Sequence, residues 1–369
     1  MSASKAAGTT QVDPLANYIS VNLDEAEELV KDCFRARRVP NLLSSPGIGK
    51  SALIKSIAEK QELLVVDVRL STIDPTELNG FPHIWTTSDG RKVASYIPME
   101  MFPVIGTQLP INPTTQKPYK GWILFLDEFN AGTLAVQAAA YKLVLDQMVG
   151  LYLLDKRCVL AMAGNLMTDR AYANRLSTAT QSRVIHLAIR VCNDTWHYWA
   201  DTHDIDLRVK SFLKLKPNLL HKFDPNHTDL TFPCPRTWEF ISDLIKPYNP
   251  IPMSKLPLLA GAIGTGAARE FYAFSEVFRD IPTFSQILGN PEGIDIRNEP
   301  SVHHAFTGVI GHNLRADNAE PCLKFLNRLG ADFQVVALRQ AIGRDISLLK
   351  VPAIDKWVTS NTKEFIRRR

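Results

Sequence analysis

The sequence predicts an α/β fold continued by an all-helical region, and three observations carry that prediction. NLLSS (41 to 45), SALIKSIAEKQ (51 to 61) and LLVVDVRL (63 to 70) read as strand, helix and strand, a βαβ unit. WILFLDE (122 to 128), CVLAMAGN (158 to 165) and VIHLAIR (184 to 190) are short, near-continuous apolar runs, the pattern of strands buried on both faces of a parallel sheet. Beyond Val191 such runs stop. WHYWAD, VKSFLKLK and TWEFISDLI instead repeat their apolar positions at helical spacing.

Taken in order, residues 1 to 17 are small and polar and read as a flexible leader. Asp24 and Glu27 stand at capping-box spacing before a helix that carries Ala26, Leu29, Val30, Cys33 and Phe34 on one side and ends before Pro40. The βαβ unit follows. From Asp74 to about Lys120, seven prolines break the rhythm, and SDGR (88 to 91) is a turn between the strand-like HIWTT and KVASYI. A hairpin inserted at about 80 to 105 is predicted. The remaining apolar strands complete a core over 18 to 192, a helical domain occupies 193 to 248, and punctuation from Pro247 to Pro257 marks the start of a helical extension over 249 to 369. There is no internal repeat and no low-complexity tract.

The 369 residues suffice for roughly two or three domains. With 45% hydrophobic and 22% charged residues the composition is globular, which excludes a mostly disordered or fibrous chain. No apolar run approaches the roughly 18 to 20 residues of a membrane-spanning helix, and the first residues contain no apolar secretory core. A cytoplasmic location is expected. Cys33, Cys158, Cys192, Cys234 and Cys322 are odd in number, scattered and without a CxxC pair, so they read as buried or idle thiols. A net charge of +4 permits contact with nucleic acid without requiring it.

SSPGIGKS (Ser44 to Ser51) lies between the first strand of the βαβ unit and its helix, the context in which a glycine-rich string cradles phosphate. Gly47 and Gly49 let the backbone turn its N–H groups toward an anion. Ser45, Pro46, Gly47, Ile48, Gly49, Lys50, Ser51 and Ala52 are the expected nucleotide-binding residues, with Lys50 reaching the β and γ phosphates. Ser44 stands where GxxxxGK[ST] has its first glycine, and weaker affinity is the expected consequence. WILFLDEFN ends in two acids at the carboxyl end of a strand, the edge where open α/β sheets bind ligands. Ser51 and Asp127 are the expected magnesium ligands, and Glu128 the general base that activates water. Asn165 closes CVLAMAGN at the same edge, where its amide would orient water against the γ phosphate.

Together these residues resemble AAA+ ATPases, and among them the MoxR-like group, over roughly residues 22 to 245. The resemblance is carried by SSPGIGKS, DPTELNGFP with the hairpin after it, LFLDEFN followed by VQAAAYKLVLDQMVG, AMAGN, NRLSTATQSRVIHL and FPCPRTWEFIS. It implies an AAA+ P-loop core with a five-stranded parallel sheet, a helical lid, and ATP with Mg2+ as ligands. It implies that Asn165 is sensor 1, Arg236 is the sensor 2 arginine of the lid, and Arg183 reaches the nucleotide of a neighbouring subunit. A guanidinium supplied in this way is worth about 10³ to 10⁵ in rate. Arg175 is a second candidate in the same segment. The hairpin around Asp89 and Gly90 resembles the helix-2 insert of this clade, with a passive hairpin as the plainer reading.

The remaining motifs have simpler explanations. His303 and His304 have no carboxylate or cysteine at ligand spacing. GAIGTGAARE (261 to 270) mimics a glycine loop, yet no strand precedes it and no lysine follows, so close helix packing is expected. Arg35, Arg37 and Arg38, and the terminal RRR at 367 to 369, read as solvated charge. The function expected from sequence is an ATP-driven ring, taken as a hexamer, that remodels or matures a protein partner. The resemblance points to partners with a von Willebrand factor A domain. The alternative is a nucleic-acid ATPase such as a helicase loader or replication initiator, although no helix-turn-helix or zinc finger is present. A third reading, motivated by Ser44, is a nucleotide-gated scaffold that seldom turns over.

Overall fold

A computed structural model of the chain describes residues 18 to 169, 174, 176 to 226 and 229 to 361. The leader at 1 to 17, Arg175 and the terminal RRR lie outside the described residues. The chain divides into two compact units, Met1–Val191 and Cys192–Arg369.

In the first unit, β1 (Ser20–Val21) leads into α1 (Leu23–Arg35). The capping box that starts α1 is Asn22 with Glu25, two residues before the predicted Asp24 and Glu27. Glu27 is instead one turn into the helix and pairs with Lys31 and Lys60. Next come β2 (Val39–Leu43), α2 (Lys50–Gln61) and β3 (Leu63–Arg69). β2 starts two residues before the predicted strand and takes in Pro40. That proline is tolerated because it pairs only toward Ile185, while pairing on the other side begins at Asn41. The short α3 (Pro75–Asn79) is followed by the predicted hairpin, β4 (Phe81–Thr86) and β5 (Lys92–Ile97). The unit is completed by β6 (Gly121–Asp127), α4 (Leu134–Asp146), the small ribbon β7 (Met148–Val149) and β8 (Tyr152–Leu153), β9 (Cys158–Gly164), α5 (Thr178–Gln181) and β10 (Val184–Ile189).

The central sheet is six-stranded, in the order β1-β10-β2-β9-β6-β3, with every pairing parallel. The five predicted strands are there, and β1 adds a sixth at the β10 edge, pairing Ser20 with Ala188 and Val21 with Ile189. Two residues are too few to leave a periodic signal. One face of the sheet packs Leu124, Leu126 and Leu160 against Val136, Ala140 and Leu143 of α4. The other packs Ile123, Phe125 and Ala161 against Leu53, Ile54 and Ile57 of α2 and Val30 of α1. Burial on both faces explains why these strands read as continuous apolar runs. The order places the carboxyl ends of β2, β9 and β6 side by side, and that edge holds the glycine loop, Asn165 and the acid pair.

Every regular element described in the second unit is helical. It contains α6 (Asn193–Thr202), α7 (Leu207–Leu215), α8 (Pro235–Ile245), α9 (Leu256–Ile263), α10 (Thr265–Asp280), α11 (Phe284–Gly289), α12 (Pro300–Asn313), α13 (Ala319–Leu326), α14 (Ala331–Arg344) and α15 (Pro352–Ser360). Trp238 of α8 is fully buried among Phe212 and Phe271, and its indole N–H donates to the Leu219 carbonyl at 2.7 Å. The GAIGTGAARE string forms the joint between α9 and α10. Close packing does not explain its glycines, because a methyl group at Gly261 or Gly266 would meet nothing within 4 Å. The glycine that the backbone requires is Gly264, with φ at 80°.

No helix among the described residues is long and apolar enough to cross a membrane. Cys33, Cys158, Cys234 and Cys322 are buried free thiols, and burial pushes Cys158 and Cys322 each up to about 12. Arg37 is more than a solvated charge: its guanidinium donates to the carbonyls of Lys156 and Cys158, tying the end of α1 to the start of β9.

Candidate nucleotide site

β2 ends at Leu43, and the chain crosses Ser44 to Gly49 before α2 begins at Lys50. Gly47 and Gly49 have φ of 78° and 116°, values at which a side chain would be strained, so both glycines are needed for the loop to fold. Gly49 is the N-cap of α2 and supplies no side-chain acceptor. The first-turn N–H groups of this twelve-residue helix therefore have no capping side chain and, together with the helix dipole, favour an anion. Ser44 is absent from the positive-φ residues, so its backbone does not use the freedom a glycine would bring. Ile48 turns its side chain into the core, leaving only its backbone for a ligand, whereas Ala52 is exposed on α2.

Lys50 is folded back over this loop. Its ammonium donates to Ser44 Oγ at 2.9 Å, to the Ser44 carbonyl at 3.0 Å and to the Ser45 carbonyl at 3.4 Å. It also donates to Asn165 Oδ1 at 3.2 Å, so the loop after β2 and the end of β9 meet at one cation. Beside them, Ser51 Oγ donates to Asp127 Oδ2 at 2.8 Å, joining the first turn of α2 to the end of β6. Two hard oxygens at that contact fit a magnesium ion, and the open helix end beside a buried lysine fits the phosphates the ion would accompany. Asp127 and Lys50 are both buried.

Glu128 follows with φ at 52°, a left-handed conformation that turns the chain sharply out of the strand. Its backbone N–H donates to Asp127 Oδ1 at 2.8 Å, and its carboxylate accepts from the Ser71 hydroxyl. Ser71 was not visible as a site residue in sequence. Its signal was positional, two residues beyond the carboxyl end of β3, at the ligand-binding edge. Asn130 and Asp169 were also missed. The Asn130 side chain accepts from the Asn165 N–H at 3.1 Å and donates to the Asn165 carbonyl at 2.7 Å. Asp169 accepts from Ser45 Oγ at 3.2 Å.

The two arginines lie on other elements. Arg183 is exposed between α5 and β10, donates to the Ala179 carbonyl at 3.0 Å and stands 6.0 Å from the centre of the Tyr141 ring. Arg236 is exposed at the second position of α8, in the second unit. His303 and His304 each meet the Phe333 ring edge-on, at 5.0 and 5.1 Å between ring centres.

No protein-family model matches the chain, and no curated protein matches it. Among solved structures it is similar to a candidate ATPase from Cytophaga hutchinsonii. That similarity covers 94% of this chain and 90% of the other at 12% identity, with a TM-score of 0.33.

Proposed function

We propose that the chain is an ATP-hydrolysing AAA+ motor of the MoxR-like kind, which assembles into a hexameric ring and remodels or matures a protein partner. The observation that supports this most directly is the pair of contacts at one sheet edge, Lys50 with Asn165 and Ser51 with Asp127. A phosphate-binding lysine, a metal-type oxygen pair and a polar amide on three adjacent strand ends are what phosphoryl transfer to water requires.

In this reading the loop amides and Lys50 bind the triphosphate, and Ser51 and Asp127 hold the magnesium ion. Bound there, Mg2+ supplies positive charge against the phosphate oxygens. Glu128 accepts the proton of the attacking water, with the Ser71 hydroxyl fixing its carboxylate. Asn165 orients the water side of the pocket from a backbone that Asn130 holds at both ends. Arg183, with its guanidinium exposed, serves a neighbouring subunit, and Arg236 is the arginine contributed by the helical unit. Partners carrying a von Willebrand factor A domain are the first client class to test.

The test uses three variants of the full chain. Lys50→Ala should lose nucleotide binding. Glu128→Gln should bind ATP, stop turning over and elute as a stable ring. Mixing Lys50→Ala with Arg183→Ala subunits should restore part of the turnover that each lacks. Wild-type protein that ignores ATP, or hydrolyses it equally fast as an isolated monomer, overturns the reading. Protein retained by the ATP-loaded Glu128→Gln ring would identify the client, and retained nucleic acid in its place would favour the helicase-loader alternative.

A further inference from the structure

Asp169 has no part in the chemistry just described, yet it is only 4% exposed and sits against the phosphate cradle. One carboxylate oxygen accepts from Ser45 Oγ at 3.2 Å, and the other is buried with no hydrogen-bond partner among the described residues. The Ser45 carbonyl is in turn 3.4 Å from the Lys50 ammonium, so the acid belongs to the loop's own network, at the end where Lys50 meets Asn165. A buried carboxylate with half its capacity unfilled is costly, and its negative charge faces the same cation that a phosphate needs.

Resting on the nucleotide reading above, we propose that Asp169 is a specificity-determining residue, an acid that competes with the terminal phosphate for the Ser45–Lys50 end of the cradle and so weakens ATP binding more than ADP binding. An incoming γ phosphate adds negative charge at the end where Asp169 stands. It must either push the acid off Ser45 or bind beside it against repulsion. ADP brings less charge to that end. Burial pushes the Asp169 carboxyl above its usual range, while the Ser45 hydrogen bond, the Lys50 charge and the Leu166 backbone act in the opposite sense. Lys50 from α2 is the charged group that acts on it, and Ser45 is its hydroxyl partner from the loop. An acid raised in the folded state costs stability as pH rises through its folded value, since the folded protein must then give up a proton it holds more tightly than the unfolded chain.

The experiment compares wild type with Asp169→Asn, which is isosteric and uncharged, by titrating the full chain with fluorescent ATP and ADP analogues and by melting it without nucleotide. Asp169→Asn should tighten ATP binding on the order of tenfold at pH 7.5, and ADP binding by clearly less. Without nucleotide it should melt higher than wild type at pH 8, with the gap narrowing as pH falls toward the ordinary carboxyl range. Should the variant not fold, Asp169→Ala should give the same order of effects. Unchanged or weaker ATP affinity, or equal gains for ATP and ADP, overturns the proposal, as does a variant that melts lower at pH 8. If folded wild type and variant both ignore nucleotide as Lys50→Ala does, the nucleotide reading itself fails and takes this one with it.

Discussion

Asn130 uses both ends of its side-chain amide on one neighbour, donating to the Asn165 carbonyl at 2.7 Å and accepting from the Asn165 N–H at 3.1 Å. Its own backbone carbonyl accepts from the Asn174 N–H at 2.6 Å, so it also anchors part of the chain that leads toward α5. Gly164 completes the fit, since a methyl group there would lie 2.6 Å from the Asn130 amide oxygen. Asn130→Ala should therefore leave the part-buried N–H and carbonyl of Asn165 unpaired, costing about 1 to 3 kcal/mol in stability. Because Asn165 loses its orientation while Lys50 keeps its loop partners, turnover should fall at least about tenfold with nucleotide affinity changed by less than about threefold. Melting curves, nucleotide titration and steady-state hydrolysis check the three parts separately, and a lost affinity with intact turnover per bound nucleotide would reverse the assignment. Ser71→Ala is a milder change at the same edge. It removes the hydroxyl that Glu128 accepts from, and turnover should fall about three- to tenfold with binding unchanged.

Among the elements, β6 is buried along its whole length, all seven residues from Gly121 to Asp127. It starts against the chain entering β9: a methyl group on Gly121 would sit 2.3 Å from the Arg157 backbone carbonyl. That oxygen cannot swing aside, because it accepts the Trp122 N–H at 3.2 Å. Gly121→Ala should destabilise the chain by about 1 to 3 kcal/mol, seen as a lower urea midpoint with the slope unchanged. The same burial made β6 easy to read, since WILFLD faces apolar partners on both sides and needs no alternation. β9 was legible for that reason, β10 from its apolar run alone although Ile185 and His186 are exposed, and α2 because a glycine loop precedes it. β1 was not legible, because its two residues draw their order from β10 rather than from any local pattern. The capping box of α1 was misplaced because four acids, Asp24, Glu25, Glu27 and Glu28, follow Asn22 closely, and backbone geometry alone selects which side chain reaches back. In the site, Lys50, Ser51, Asp127, Glu128 and Asn165 were readable from their positions at strand ends. Ser71, Asn130 and Asp169 were not, since each acts through one hydroxyl, amide or carboxylate whose partner is 57, 35 or 124 residues away in the chain.

The second unit is tied together by a polar network between residues far apart in sequence. Lys210 of α7 pairs with Asp201 of α6 at 3.1 Å, and Gln340 of α14 donates to the same carboxylate at 3.2 Å. Lys214, one turn further along α7, donates to Gln340 Oε1 at 2.7 Å. Two ammonium groups thus lean on one carboxylate, and His197 and His304 nearby are held neutral, His304 pushed down to about 4 by burial and then by Lys214 and His303. Burial lowers Lys214 to about 8, against the attraction of Asp201. Between about pH 8 and the ordinary lysine value, the unfolded chain holds a proton that the folded one has released, so stability rises with pH across that window. The cost of the buried ammonium is fully present below pH 8 and is relieved above it. Four of the six tryptophans lie in this unit, so tryptophan fluorescence during urea unfolding reports mainly on it. Wild type should gain about 1 to 3 kcal/mol between pH 8 and pH 10, and Lys214→Met, which keeps the aliphatic stem without the charge, should lose most of that gain. Equal pH slopes for the two proteins would mean that Lys214 titrates as an exposed lysine and that the network places no charge under strain.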